Sequence, residues 1–288
     1  MYEERDAQID EIVRRVLAQL QVNSTLESGA PPSSDETLPD ITKADLRLQY
    51  LVDRPHDREA FMALKEKTPA RLGIGHAGAR HRTATVLRFS ADHAAAQSAV
   101  FSHVEEAFLT QMAWPSFSTT CSSKDEFLTR PDLGRIFSPE TVADIKKYVG
   151  ASPKVLLYAA DGLSSSAIRA NAADVLQVVQ KGLTGYGITV NPPFFVQYCR
   201  VAAMDMLGDA LQPDVVCVLI GERPGLVTAE SMSAYIAYKP TLGMPESRRT
   251  VLANIHAGGT PAVEAGAHLV DVIREILEKR VSGVDLPV

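Results

Sequence analysis

The sequence predicts an α/β protein in which a parallel sheet is flanked by helices and preceded by a mainly helical region. Three observations predict it. The apolar run VLLYAA at 155–160 ends abruptly at Asp161-Gly162. A second run, VVCVLI at 215–220, ends in the same way at Gly221-Glu222. Segments with helical periodicity lie between and after them. Short, continuous apolar runs suit strands buried on both faces. Strands that alternate with helices build βαβ units with parallel neighbours. Residues 151–288 therefore read as a Rossmann-like α/β domain, and 45–150 as a mainly helical N-terminal region.

The N-terminal segment stands apart. Ile9, Ile12, Val13, Val16, Leu17 and Leu20 fall on one stripe of a helix over residues 1–20. The following stretch, 21–44, is rich in Ser, Pro, Gly and acidic residues and predicts a flexible linker. A short helix on a linker has two readings: it folds back on its own domain, or it docks its stripe into a partner groove.

In the helical region, Asp57 opens a pattern through Phe61, Leu64 and Lys65 that stops before Pro69. TATVLRF at 83–89 alternates like a strand, and 90–108 follows as a helix. Ser138, Pro139 and Glu140 have the order of an N-cap, a first helical position and an acidic first turn. After the first apolar run, serines 164 to 166 precede a helical pattern that runs from Ile168 to about Gly182. Residues 187–190 and 194–196 are short strand candidates, 201–211 is a helix, and 234–238 another strand. Thr260 and Pro261 predict the start of the last helix, whose inward face is Val263, Ala267, Val270, Ile273 and Leu277.

Composition narrows the function classes. The 288 residues are 45% hydrophobic and 22% charged, as in globular proteins, with length enough for one large domain or one with a smaller companion. A net charge of -6 excludes a general attraction to nucleic acid or anionic membrane. No apolar run is long enough to span a bilayer, and charges occupy the place of a secretory signal's apolar core. Cys121, Cys199 and Cys217 are odd in number and lack CxxC spacing. They speak against a disulfide framework and a thiolate zinc site, and for a reducing, cytoplasmic compartment.

Several motifs could carry chemistry. Gly73, Gly75 and Gly78 match GxGxxG, but a dinucleotide fingerprint must follow a strand and open a helix. The flanking residues favour a tight turn with close backbone approach over a nicotinamide-dependent oxidoreductase. Arg71, His76, Arg80, His81, Arg82 and Arg88 form either a solvated basic face or a contact for an acidic partner or phosphate. DGLSSS, at a strand end and helix start, offers free N–H groups to an anion or amide oxygen; alternatively Ser164 or Ser165 simply caps the helix. Glu222 projects from the strand-end edge that ligands favour, or pairs on the surface with Arg223 or Arg248. The histidines lack HExxH spacing, GxSxG and P-loop motifs are missing, and His256 suits packing or capping better than base catalysis. The sequence thus offers a binding edge with no self-contained catalytic set and no metal ligands.

The segments PARLGIGHAGAR, RTATVLRFSADHA, FLTRPDLGR, DGLSSSAIRAN, PPFFVQYCRV, LIGERPGLVTAESMSAYIAY and RRTVLANIHAGGTPAVEA resemble, in order, the small subunit of adenosylcobalamin-dependent ethanolamine ammonia-lyase. The resemblance runs from about Asp53 to Leu286. It implies radical chemistry that converts ethanolamine to acetaldehyde and ammonia, with the catalytic groups on a barrel-shaped large subunit and this chain capping the cobalamin. It further implies cofactor contacts at Val201 in YCRV, Glu222 in GERPGL and Val251 in RRTVLANIH. Some members have Cys where Val251 stands, so a backbone contact is expected there. Arg in place of His76 and Pro in place of Ala79 are common in the family. By the same resemblance, residues 1–20 are a targeting helix for a bacterial microcompartment shell or its cargo. A non-catalytic microcompartment adaptor is the alternative reading of that stripe.

Overall fold

The computed structural model describes residues 44, 45 and 47–287. The chain divides into two units, Met1–Ala44 and Asp45–Val288, and the elements below belong to the second. The helix expected at 1–20 and all but the last residue of the expected linker lie outside the described residues.

Helix α1 (Arg58–Lys65) starts at Asp57, where the pattern opens, and the Asp57 side chain caps it by accepting a hydrogen bond from the Ala60 N–H. Two two-residue strands, β1 (His76–Ala77) and β2 (Arg80–His81), make a small antiparallel hairpin. Helix α2 (Thr83–Phe101) and helix α3 (Glu106–Met112) follow. Strand β3 (Ser116–Ser118), helix α4 (Lys124–Thr129) and helix α5 (Pro139–Val149) complete the region before the first long strand. Ser138 caps α5 and Pro139 occupies its first turn, as the sequence indicates.

Strand β4 (Val155–Ala160) leads to helix α6 (Ser165–Gly185), capped by Ser164. Then come β5 (Phe195–Gln197), helix α7 (Ala203–Leu211), β6 (Val215–Gly221), β7 (Met232–Tyr238), β8 (Thr250–Ile255) and helix α8 (Ala262–Lys279). The six longer strands form one sheet in the order β3-β5-β4-β6-β7-β8.

The core lies on both faces of this sheet. Val155, Leu157 and Ala159 of β4 and Val215, Cys217 and Leu219 of β6 face one side, where α6 and α8 contribute Ile168, Val175, Leu176, Leu269 and Ile273. Leu156, Tyr158, Ala160, Val216, Val218 and Ile220 face the other, against Ile145 of α5 and Met204 and Leu207 of α7. Period-two alternation explains why both strands read as unbroken apolar runs: each side chain has a helix to meet. Full burial of an aliphatic side chain contributes about 1.5–3 kcal/mol, so these two strands hold the sheet's centre.

Four expectations need correction. The sheet is mixed, not parallel: β3, β5, β4 and β6 run parallel, but β7 is antiparallel to β6, and β8 to β7. The reason is chain length. The links 222–231 and 239–249 are shorter than the dozen or more residues a parallel crossover needs. Residues 83–89 are helical, since α2 turns Thr85, Asp92 and Ala99 inward at seven-residue spacing, two helical turns apart. Helix 90–108 is broken at Ser102, which has extended backbone, so α3 is separate. Residues 187–190 give only one isolated bridge, Val155 to Val190. Smaller differences lie at helix ends: α6 runs to Gly185, and Pro261 stands at the α8 cap position expected of Thr260.

Candidate functional site

The strand directions bring several chain segments to one edge. Strands β3, β5, β4 and β6 end there, and β8, two antiparallel steps from β6, ends there too. Ligands of open α/β sheets gather at such an edge. The two loops singled out in the sequence meet directly. Leu163 N–H donates to the Gly221 carbonyl at 3.0 Å. Gly162 has φ +53°. Side chains at either glycine would collide with the other loop's backbone, so the close approach depends on both.

Asp161 and Glu222, though both follow strands, have opposite fates. Asp161 is 1% exposed and accepts a hydrogen bond from Cys199 N–H at 3.1 Å. Its other carboxylate oxygen faces Lys124 Nζ at 3.8 Å. Burial raises the Asp161 carboxyl above its usual value despite the nearby ammonium and backbone N–H groups. Burial likewise lowers the Lys124 amine, against the pull of Asp161.

Glu222 is half-buried at the mouth of the edge. Its Oε2 accepts from Ser231 Oγ at 2.7 Å; its Oε1 accepts from Ser233 Oγ and from Asn254 N–H, the latter at 3.1 Å. Burial pushes the carboxyl up, but Ser233, Ser231, the Asn254 N–H and His256 together hold it below its usual value. Neither Arg223 nor Arg248 is its partner: Arg248 lies 3.8 Å from Asp285 instead. Asn254 adopts φ +65°, which turns its N–H toward Glu222. His256 supports this turn. Its Nδ1 accepts from Gly258 N–H at 3.1 Å, which leaves Nε2 to donate to Asn254 Oδ1 at 2.9 Å.

A cavity of about 200 Å³ opens here, lined by Gly162, Leu163, Cys199, Arg200, Val201, Ile220, Gly221, Glu222, Arg223 and Tyr235. Val201 and Glu222 therefore share one cavity. Val251 does not line it, but stands directly across β7–β8 from Tyr235, which does. Residues directly opposite in a sheet share a face, and Val251 is 45% exposed on that face. Tyr235 and Arg200 are lining residues that the sequence reading did not single out. Tyr235 lies within the run AYIAY and Arg200 beside Val201, so position next to a motif was the available signal. Arg200 sits over the Phe127 ring with its guanidinium carbon 4.2 Å from the centroid, and donates to the Phe127 carbonyl at 2.8 Å.

Other motifs resolve elsewhere. Gly73–Gly78 leads into the β1–β2 hairpin, not from a strand into a helix, so it is no dinucleotide fingerprint. Its glycines have positive φ, and a Cβ on Gly75 would lie 2.3 Å from the Leu51 carbonyl oxygen, which is the close approach expected. The basic cluster is largely internally paired. Arg71 and Arg88 both hold Asp92, Arg82 pairs with Asp53, and the tilted rings of His76 and His81 lie 4.6 Å apart. The three cysteines are free thiols, all buried; burial raises Cys217 to about 12. Among the described residues no group of His, Cys, Asp and Glu is arranged to hold a metal ion, and no helix is long and apolar enough to cross a membrane.

A mixed α/β protein with a glycine-closed cavity at its strand-end edge falls in the class of α/β proteins whose strand-end loops form a crevice. Comparison with known proteins makes this particular. The family described as "Ethanolamine ammonia-lyase light chain (EutC)" matches residues 58–287, and the chain belongs to it. An ethanolamine ammonia-lyase small subunit from Clostridium perfringens is 53% identical over 285 residues, covering 96% of this chain and 97% of the relative. One from Clostridioides difficile is 52% identical, covering 97% of each. One from Listeria monocytogenes is 48% identical over 290 residues, covering 98% and 99%. Family membership agrees with the resemblance drawn from the motifs, and sets aside the dehydrogenase and adaptor alternatives.

Proposed function

We propose that this chain works as the small subunit of an ethanolamine ammonia-lyase, and that its strand-end edge closes one side of an adenosylcobalamin site completed by the large subunit. The enzyme splits ethanolamine into acetaldehyde and ammonia, and is active only when both subunits are present. One observation carries the cofactor reading: Val201 and Glu222, contacts implied by the family motifs, line one cavity at the ligand-favoured edge, with Val251 across from its Tyr235 wall.

The residues fit the group. A carboxylate offers about four acceptor sites. Ser231, Ser233 and Asn254 use three of Glu222's, which leaves room for one amide N–H from a corrin side chain. Val201 and the exposed Val251 offer apolar surface to a macrocycle. At about 200 Å³ the cavity is smaller than the roughly 300–1,000 Å³ that encloses a drug-sized ligand. It therefore suits an edge of a large cofactor, with the rest covered by another chain.

Adenosylcobalamin, when bound, would supply the radical chemistry. The work of this chain is binding, orientation and exclusion of water. Glu222, already ionised and fixed by three donors, holds its acceptor in place before the cofactor arrives, so little ordering remains to be done on binding. His256 has both ring nitrogens engaged in its own loop, which suits a support for Asn254 more than a general base.

Residues 1–20 are the second part of the proposal. The apolar stripe from Ile9 to Leu20 suits docking to a microcompartment shell or its cargo. The cytoplasmic microcompartment is then the place of action.

Co-expression with a large subunit tests the assignment. The expected result is co-purification with a cobalamin absorbance spectrum and lyase activity, and neither from this chain alone. Full activity from the isolated chain, or failure to associate with the large subunit, overturns it.

A further inference from the structure

Below the cavity lies a buried charge pair that touches no proposed ligand contact yet is tied to the loop carrying one of them. Lys124, at the start of α4, is 7% exposed, and Asp161, at the end of β4, is 1% exposed. They stand 3.8 Å apart, and neither Lys124 Nζ nor Asp161 Oδ2 has a hydrogen-bond partner. Replacing two buried charges by apolar groups is often neutral or stabilising, so the pair is poorly explained by stability alone.

What the pair holds is specific. Asp161 Oδ1 takes the N–H of Cys199 at 3.1 Å, in the loop from β5 to α7. The residue before it, Tyr198, has φ +57°, a backbone state unfavourable for an aromatic residue and kept only where the surroundings enforce it. Arg200 and Val201 follow at once and line the cavity. The Arg200 N–H is tied to the Gly134 carbonyl at 2.7 Å, and its side chain to Phe127 of α4, the helix that also bears Lys124. The Asp161 carbonyl is one of the atoms a side chain at Gly221 would strike, beside Glu222. One buried carboxylate residue thus touches both halves of the site.

We propose that Lys124 and Asp161 are positioning residues for the cofactor edge. Lys124 fixes the place of Asp161, Asp161 holds the Cys199 N–H and with it the strained turn at Tyr198, and the turn sets Val201 against Glu222. The inference rests on the cobalamin reading above.

The test uses the assembled two-subunit enzyme loaded with cobalamin, and reads cobalamin release by absorbance after gel filtration. Lys124→Met is expected to speed release by about 10-fold or more, the lower end of what loss of an outer-shell partner costs a bound metal. Lys124→Arg, which keeps the charge, is expected to restore retention to near the wild-type level. If Lys124→Met does not assemble, the double variant Lys124→Met with Asp161→Asn, which leaves no unpaired charge, takes its place, with the same faster release expected. Wild-type release from either assembled variant overturns the proposal, because a purely structural pair affects assembly and not retention once assembled. Glu222→Ala separates the two levels. If it releases cobalamin fast while the Lys124 variants do not, the positioning role alone fails; if it too retains cobalamin, the reading of this edge fails and the positioning role with it.

Discussion

Gly162 and Gly221 approach so closely that a Cβ on Gly162 would lie 2.4 Å from the Gly221 carbonyl oxygen. A Cβ on Gly221 would in turn lie 2.2 Å from the Ser164 carbonyl oxygen and 2.6 Å from that of Asp161. The nearest obstacle at each position is a backbone atom, which cannot swing aside as a flexible side chain can. Each of Gly162→Ala and Gly221→Ala is therefore expected to destabilise the chain by about 1–3 kcal/mol, the cost of overpacking, with strain at positive φ added at Gly162. A lower urea midpoint at unchanged slope checks this. An unchanged midpoint would mean the loops part at no cost.

Glu222 carries a testable pH dependence. Its carboxyl is held below the usual value because hydrogen bonds and His256 outweigh burial. A lowered folded-state value contributes stability above the unfolded-state value and loses it as pH falls through the folded one. The contribution is thus full at neutral pH and fades only below the ordinary glutamate range. An NMR titration of the Glu222 carboxyl should show the low value, and Ser233→Ala should move it up.

The Asp205–Arg249 pair links α7 to the residue just before β8. Arg249 Nη2 donates to both carboxylate oxygens at 2.7 Å, and the side chains are 5% and 1% exposed, Asp205 and Arg249 respectively. Removing one partner strands a buried charge, so Arg249→Met is expected to cost about 3–5 kcal/mol. The double variant with Asp205→Leu removes both charges and should recover most of that loss. Chemical denaturation of Arg249→Met, of Asp205→Leu and of the double variant, beside the wild type, forms the cycle that measures it.

Val251 separates stability from binding. It is 45% exposed on an edge strand, so Val251→Asp should change stability by no more than about 0.5 kcal/mol, the usual range for an exposed position. In the assembled enzyme the same change places a charge against the cofactor face and is expected to weaken cobalamin retention. Retention equal to wild type would remove Val251 from the site.

The N-terminal stripe predicts a separation of a different kind. Deleting residues 1–20 should abolish recruitment to microcompartments while lyase activity in the assembled enzyme persists. Cell fractionation beside an activity assay tests both arms. Lost activity with intact recruitment would count against the docking peptide.

Much of the fold is legible where one local rule decides. Val155–Ala160 and Val215–Gly221 are apolar throughout because each face meets a helix, and the caps at Asp57, Ser138 and Ser164 follow from side-chain oxygens that reach nearby N–H groups. The misreading of 83–89 shows the limit of local pattern. Seven alternating residues satisfy a strand template, yet Val86 and Leu87, at 47% and 57% exposure, meet no sheet, and the helix presents only every seventh residue inward. The antiparallel direction of β7 and β8 follows from the short links before them, a constraint of chain length that residue pattern does not carry.

The sequence by itself determined strands β4, β5, β6 and β7, the loops after β4 and β6, and the family motifs that carry Val201, Glu222 and Val251, whereas β3 and β8 emerge only in the fold. Only the tertiary structure decided what those loops do. Asp161 and Glu222 both follow a strand end, but Asp161 turns inward to Lys124 and Cys199 while Glu222 meets three donors at the mouth. Lys124, Cys199 and Asn254 lie more than thirty residues from the carboxylate each meets, and no local pattern records which distant N–H or charge a carboxylate will find. Burial and partner choice are properties of the assembled sheet edge, and they turn one carboxylate into the interior and leave the other half-buried at the cavity.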